Sequence, residues 1–198
     1  MSLDPTEHDV HYCLQETPNT VFLTVTRRAC SQLNTWAMES LFHGRDPLVV
    51  LPTDPESNLA NYRGSKLVRE DPLQQPIHLG MRVVLTKNLN KDIGFVNGMR
   101  ATVEDVLQHG VVVRTDQGRR ITIHAWTSPA GVVHFPMRLG YASTLHKVQG
   151  ATLPHITLWL DIAGMPAAAY VALSRVRHDA DWRFLGDPYV HHFTPAKF

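Results

Sequence analysis

The sequence predicts an α/β domain that hosts a small antiparallel β module. Strand-like and helix-like segments alternate near both ends of the chain, and short β-branched runs punctuated by glycine turns fill the middle. With 198 residues, 43% of them hydrophobic, the chain can form one ordinary domain carrying a small insertion and can build a real core.

The elements follow in order. Residues 1–19 are polar, contain Pro5 and Pro18, and read as an entry segment. VFLTVT (21–26) is apolar and β-branched, a strand by composition and length. Ala29, Leu33, Trp36, Ala37 and Leu41 then recur at helical spacing, which predicts a helix over 27–42 stopped by Gly44 and Pro47. Residues 43–79, rich in Pro, Asp and Asn around a short VVLP strand, read as a long surface connection. Strand-like runs come next at 81–86, 101–107, 110–115 and 120–126. Asn97-Gly98, Gly110 and Asp116-Gln117-Gly118 separate them, the signature of a small antiparallel barrel or hairpin set. Residues 139–153 read as a strand leading into a helix, and ITLWLD (156–161) as a second apolar strand. A helix is expected over 167–176, with Ala167, Tyr170, Val171 and Ser174 along one stripe. A last short strand covers 183–186, and residues 193–198 read as a frayed tail. The expected organisation is therefore an entry segment (1–19), an α/β domain (20–80 and 136–187), an inserted β module (81–135) and a tail (188–198).

Charge and composition exclude several classes. Nineteen Lys+Arg against eighteen Asp+Glu give a formal charge of +1, so any nucleic-acid contact has to be a local patch. No apolar run approaches the roughly 18–20 residues of a spanning helix, and MSLDPTEHDV has neither the basic start nor the apolar stretch of a secretory signal. Cys13 and Cys30 are too few for a disulfide scaffold or a four-cysteine zinc site and read as reduced, structural thiols. Twelve histidines are scattered: His124, His134, His146 and His155 form no i,i+4 pair with a carboxylate, and His191-His192 fall on the tail. The expectation is a soluble intracellular protein with no metal centre and no membrane partner. Trp36 and Trp159 lie in apolar patterns and are expected in the core, while Trp126 and Trp182 are left open.

Three segments carry chemistry. In LGYASTLHKVQGATL (139–153), an apolar start suits a buried strand. Ser143, Thr144, His146, Lys147 and Gln149 then gather where such a strand would end, the place where open α/β sheets bind ligands. Gly150 permits a positive φ or close backbone approach there. In YVALSRVR (170–177), Arg175 and Arg177 stand at a helix end. They complement the helix dipole on one reading and meet a phosphate on the other. In the hairpin segment 81–103, Lys87, Lys91 and Arg100 are placed to border a nucleic-acid channel.

Together these segments resemble the Pif/RecD-like DNA helicases of superfamily one. HKVQGATL (146–153) resembles their motif V, YVALSRVR their motif VI, and FLTVTRRACSQLN (22–34) a divergent motif IV. GMRVVLTKNL and GFVNGMRATV are similar to the stretch preceding the family's small barrel. The resemblance spans roughly residues 20–187. It implies a second RecA-like domain of a 5′-to-3′ helicase, with the small barrel inserted before motif V. It also implies that Arg175 is the finger reaching the γ-phosphate of ATP. Gln149 and Gly150 would line the nucleotide cleft, and Thr144, His146 and Lys147 would contact single-stranded DNA. Arg27 or Arg28 would be the motif IV contact, without a choice between them. ATP with Mg²⁺ would be held mainly by an N-terminal RecA-like domain, the expected partner.

The sequence also departs from a whole motor. It has no Gly-x-x-x-x-Gly-Lys-[Ser/Thr]; Gly64-Ser65-Lys66 lacks the upstream glycine and the Gly-Lys pair. LWLD (158–161) ends in one carboxylate followed by Ile162 rather than an Asp-Glu pair. This chain alone is not expected to hydrolyse ATP. The alternative is a degenerate helicase domain that binds nucleic acid without catalysis.

Overall fold

The computed structural model describes residues 4–90, 95–162, 165–188 and 190–195. Its helices are α1 (Glu7–Glu16), α2 (Arg27–Phe42) and α3 (Ala168–Leu173). Its strands, in order, are β1 (Val21–Thr24), β2 (Val49–Thr53), β3 (Tyr62–Arg63), β4 (Lys66–Leu67), β5 (Leu73–Ile77) and β6 (Arg82–Leu85). They continue with β7 (Arg100–Leu107), β8 (Gly110–Thr115), β9 (Arg120–Ile123), β10 (Trp126–Thr127) and β11 (Val133–His134). The last four are β12 (Met137–Leu139), β13 (Ala142–Thr144), β14 (Ile156–Trp159) and β15 (Trp182–Phe184). The chain divides into two compact units. One takes the residues up to His43 together with those from Tyr141 onward, and the other is the continuous stretch Gly44–Gly140. The sequence reading put these junctions at 80/81 and 135/136.

The first unit is an α/β layer built on a four-stranded, all-parallel sheet of order β13-β1-β14-β15. All four residues of β1 are buried, as expected for a parallel strand covered on both faces. Val21 and Leu23 of β1 pack with Ile156 and Leu158 of β14 and with Leu145, Val148, Ala168, Ala169 and Ala172. α2 covers the other face through Ala29, Leu33 and Ala37, and α1 packs on α2. α1 was not foreseen in the polar entry segment. Its signal is the capping box at Thr6, whose side chain accepts from the Asp9 N–H while the Asp9 carboxylate accepts from the Thr6 N–H at 2.8 Å. The Asp9 carboxyl is held below its ordinary value, chiefly by that backbone hydrogen bond.

β13 is an edge strand, and its exposed peptide is closed by a side chain. Asn34 of α2 accepts from the Ala142 N–H at 3.0 Å and donates to the Ala142 carbonyl at 3.3 Å, as a neighbouring strand would.

The C-terminal end is docked rather than frayed as far as residue 195. His192 is fully buried with Nε2 2.5 Å from the Ile162 carbonyl, and Phe193 meets Phe184 and Tyr170 edge-to-face. Residues 196–198 lie outside the described ones. α3 is shorter than the expected helix. Ala167 sits in the left-handed region (φ 60°) before its start, with its N–H donating to the Thr194 carbonyl at 2.9 Å. The buried face of α3 is Ala168, Ala169 and Ala172, so Tyr170 turns outward at 56% exposure instead of joining a core stripe.

The second unit is antiparallel throughout its main sheet, of order β12-β6-β7-β8-β9. A β2–β5 ladder of five residue pairs and the small β3–β4 and β10–β11 hairpins complete it. The expected strand over 120–126 breaks after Ile123. Residues 126–127 pair instead with Val133–His134 in their own hairpin. Among the described residues the sheet is open, with β12 and β9 at its edges and no closed barrel.

Candidate nucleotide and nucleic-acid site

Because the four strands of the first unit are parallel, their carboxyl ends fall at one edge, the edge where open α/β sheets bind ligands. β13 and β1 run side by side in register Thr24↔Thr144. The segments that follow them are therefore neighbours: one is the turn Leu145–Val148 with Gln149 and Gly150, the other the start of α2.

After β13 the chain makes a single 3₁₀ turn, Leu145–Val148, rather than a full helix. Leu145 and Val148 turn into the core and anchor it, which leaves His146, Lys147 and Gln149 exposed. Gly150 takes φ +81°, where an L side chain would be strained, so its glycine identity has a backbone reason. Thr144, the last residue of β13, is buried to 7% exposure and makes no side-chain capping bond to the turn that follows.

After β1, Thr26 caps α2 by accepting from the Ala29 N–H, and Arg27 and Arg28 occupy the exposed first turn. This turn is fixed by Asp161, which follows β14. Its carboxylate accepts from the Val25 N–H at 2.7 Å, from the Thr26 N–H at 3.2 Å, and from the Thr26 hydroxyl. Asp161 was noted in the sequence only as a carboxylate without its expected neighbour. Its structural task is to hold the arginine-bearing turn to the end of β14.

Arg175 lies just past α3. Its carbonyl accepts from the Leu153 N–H at 2.8 Å, which ties the end of the β13 loop to the end of α3. Its guanidinium folds back on its own helix: Nη2 donates to the Ser174 hydroxyl at 2.7 Å, and Nε reaches the same oxygen at 3.1 Å. Thr144, His146, Lys147, Gln149, Gly150, Arg27, Arg28 and Arg175 thus lie in the first unit, at one sheet edge or on segments bonded to it.

Of the second-unit residues considered, Lys87 is half-buried with Nζ 4.7 Å from the Trp126 ring centroid, and Arg100 is bound to Asp116 and to the Gly140 carbonyl. Trp126 is covered on another side by His134, with ring centroids 5.3 Å apart. Lys91 lies outside the described residues. No cluster of three His, Cys, Asp or Glu suited to a metal ion occurs among the described residues, and no described helix is long and apolar enough to cross a membrane. Burial raises the Cys13 thiol above its ordinary value, in keeping with a structural role.

This fold and this edge define a RecA-like α/β domain. No family model matches the sequence. The chain is similar to the ATP-dependent DNA helicase Pif1 of Bdellovibrio bacteriovorus, 34% identical over 158 residues, covering 67% of this chain and 35% of that protein. It is also similar to human ATP-dependent DNA helicase PIF1, 35% identical over 150 residues, covering 65% of this chain and 23% of that one. Among solved structures, Bacteroides Pif1 bound to ssDNA superposes with a TM-score of 0.64 at 22% identity, covering 91% of this chain and 43% of that one. Pif1 helicase from Candida albicans gives 0.60 at 21%, covering 87% and 46%. The chain belongs to the Pif1-like helicases of superfamily one. It spans about a third or less of the length of the curated relatives it matches.

Proposed function

We propose that this chain is the C-terminal motor half of an ATP-dependent DNA helicase. On this reading it supplies Arg175 as the finger toward the γ-phosphate and the His146–Lys147 turn as a contact to single-stranded DNA. Gly44–Gly140 is the small β module inserted before motif V. The observation that carries the reading is the gathering of three motif-like segments at one sheet edge, with Leu153 bonded to Arg175 and Thr26 bonded to Asp161. A single rigid edge of this kind can transmit a change at one ligand to the other. Thr144, buried at the start of that turn, is the expected single-strand contact least open to a ligand. The names of the relatives, and the ADP-AlF4 and ssDNA complexes solved for Bacteroides Pif1, support nucleotide and single-stranded DNA as ligands.

The residues present fit one side of a nucleotide only. Arg175 offers a planar, permanently charged fork, and Gln149 and Gly150 are exposed in the loop that Leu153 bonds to the Arg175 carbonyl. A phosphate cradle with its lysine and Mg²⁺-binding hydroxyl is not found in the sequence. Phosphoryl transfer therefore needs the P-loop partner domain, and this chain contributes orientation and charge. The second reading, a non-catalytic binding module, is favoured by one observation: the Arg175 guanidinium is bonded to Ser174 of its own helix end.

The test is a comparison of Arg175→Ala with the parent. Single-stranded DNA affinity of the 198-residue chain stays within about twofold. ATP turnover of a protein completed with a P-loop half falls about 10³-fold or more. Equal losses in both would refute the finger, and unchanged turnover would favour the binding module.

A further inference from the structure

One face of the second unit's main sheet carries an arginine from each of its five strands. Cross-strand partners present their side chains on the same face. Arg82 of β6 faces Thr102, Thr102 faces Arg114 of β8, and Arg114 faces Arg120 of β9. One rung away, Arg138 of β12 faces Val84, and Val84 faces Arg100 of β7. Arg82 has one guanidinium nitrogen buried, and Arg100, 18% exposed, is bonded to Asp116 and the Gly140 carbonyl. The arginines that reach solvent are therefore Arg114, Arg120 and, half-buried, Arg138, against Glu104 and Asp105, in a chain whose total charge is only +1. Arg114 and Arg120 stand directly opposite each other, a like-charge pair that disfavours the sheet. Glu104 alone bridges them, at 2.5 Å to Arg114 Nε and 3.1 Å to Arg120 Nε. The two arginine side chains keep 52% and 61% of their exposure.

We propose that this arginine face is a docking surface for the phosphate backbone of double-stranded DNA, separate from the single-strand contact at the β13 loop. Charge complementarity selects a polyanion. The neighbours of the arginines on this face are Val84, Thr102, Val112 and Thr122, with no aromatic ring among them. Base stacking, which single-strand sites use, therefore has no platform here. The stripe crosses four interstrand steps, about 19 Å. That exceeds the roughly 12 Å width of a major groove, so phosphates on both of its sides are within reach. The choice of DNA rests on the functional reading above, while the face itself does not.

The experiment measures binding of a 20-base-pair duplex and of a dT20 single strand to the full chain by fluorescence anisotropy, from 50 to 300 mM KCl. Arg114→Gln with Arg120→Gln removes two phosphate contacts at exposed positions. The salt slope of duplex binding becomes shallower by about 1.8, and affinity at 0.1 M salt falls about 60-fold. Affinity for dT20 is unchanged. Arg114→Lys with Arg120→Lys keeps duplex affinity within about threefold. Absence of duplex binding by the parent chain overturns the proposal, as does an unaltered slope in the glutamine variant. Loss of dT20 binding in step with duplex binding makes the face a single-strand site and also overturns it. His146→Ala tests the other reading separately: if it leaves dT20 binding intact while the arginine variant loses the duplex, the β13-loop assignment fails and the duplex face stands.

Discussion

Replacing His134 with leucine is expected to stabilise the protein. His134 is 2% exposed, and among the described residues neither ring nitrogen makes a well-aligned hydrogen bond, the Val132 backbone giving only a weak one. A neutral imidazole carries one donor and one acceptor, and each buried without a partner costs about 1–3 kcal/mol. Leucine has similar bulk and removes both, while it gives up the edge-to-face contact with Trp126, worth about 0.5–1.5 kcal/mol. With the Val132 contact meeting one of the two groups in part, the net expectation is a gain of about 1 kcal/mol at pH 7.5, read as a higher urea midpoint. The gain widens in acid. Burial, the largest cause, and Lys87 push the His134 ring below its ordinary value, against the charges of Asp54 and Glu70 and the Val132 backbone hydrogen bond. The unfolded chain therefore takes up a proton that the native ring refuses. Stability from this site is complete above the unfolded value of 6.5 and is lost as pH falls below it. The loss between pH 7.5 and 5.5 is at most about 1.4 kcal/mol, the limit set by one proton taken up only by the unfolded chain, and the leucine variant does not suffer it. A leucine variant that is less stable than the parent at pH 7.5, with the same pH dependence, would refute the reasoning.

Two further outcomes follow from the first unit. Asp161→Ala strips the acceptor from the Val25 and Thr26 amides and the Thr26 hydroxyl and costs about 2–3 kcal/mol, while Asp161→Asn, which keeps one acceptor, costs about half as much. Urea unfolding measures both, and an alanine variant within about 0.5 kcal/mol of the parent would discount the contact. His192→Ala empties a fully buried site and frees the Ile162 carbonyl, so the C-terminal turn opens locally. The sign is faster hydrogen exchange at the Ala167 amide, which donates to Thr194; an unchanged rate would mean that the turn is held by other contacts.

Much of the fold was legible because its elements declare themselves locally. The α2 pattern of Ala29, Leu33 and Ala37 has one period and clear stops, and the structure returns Arg27–Phe42. β8 is bounded by Gly110 and the turn at Gly118, and it too falls where its residues place it. What was not legible depends on partners remote in sequence. α1 is short and buries only Val10, Cys13 and Leu14, and its helix rests on a cap and on packing against α2. Residues 124–125 look continuous with β9, but the pairing of Trp126 with His134 diverts the chain. Trp36 and Trp159 sit in apolar patterns and yet are only half-buried, because large rings reach the margin of a small core. The site residues were visible as a polar cluster after an apolar strand. Asp161 and Asn34 were not, since their work is to bond backbone more than a hundred residues away.

The division of the chain fixes an order of events during synthesis. β1 is made before the inserted unit, and its two neighbours in the sheet, β13 and β14, emerge roughly 120 and 135 residues after it. The whole of Gly44–Gly140 is continuous and has left the ribosome before either arrives. Closing a flexible loop of that length costs about 4 kcal/mol of chain entropy. A folded stretch between His43 and Tyr141 shortens the loop that has to close, so the inserted unit, whatever it binds, also works as a clasp that brings the two halves of the parallel sheet within reach of each other. Until then β1 is a bare apolar strand on an unfinished domain, the segment most exposed to wrong pairing while the protein is being made.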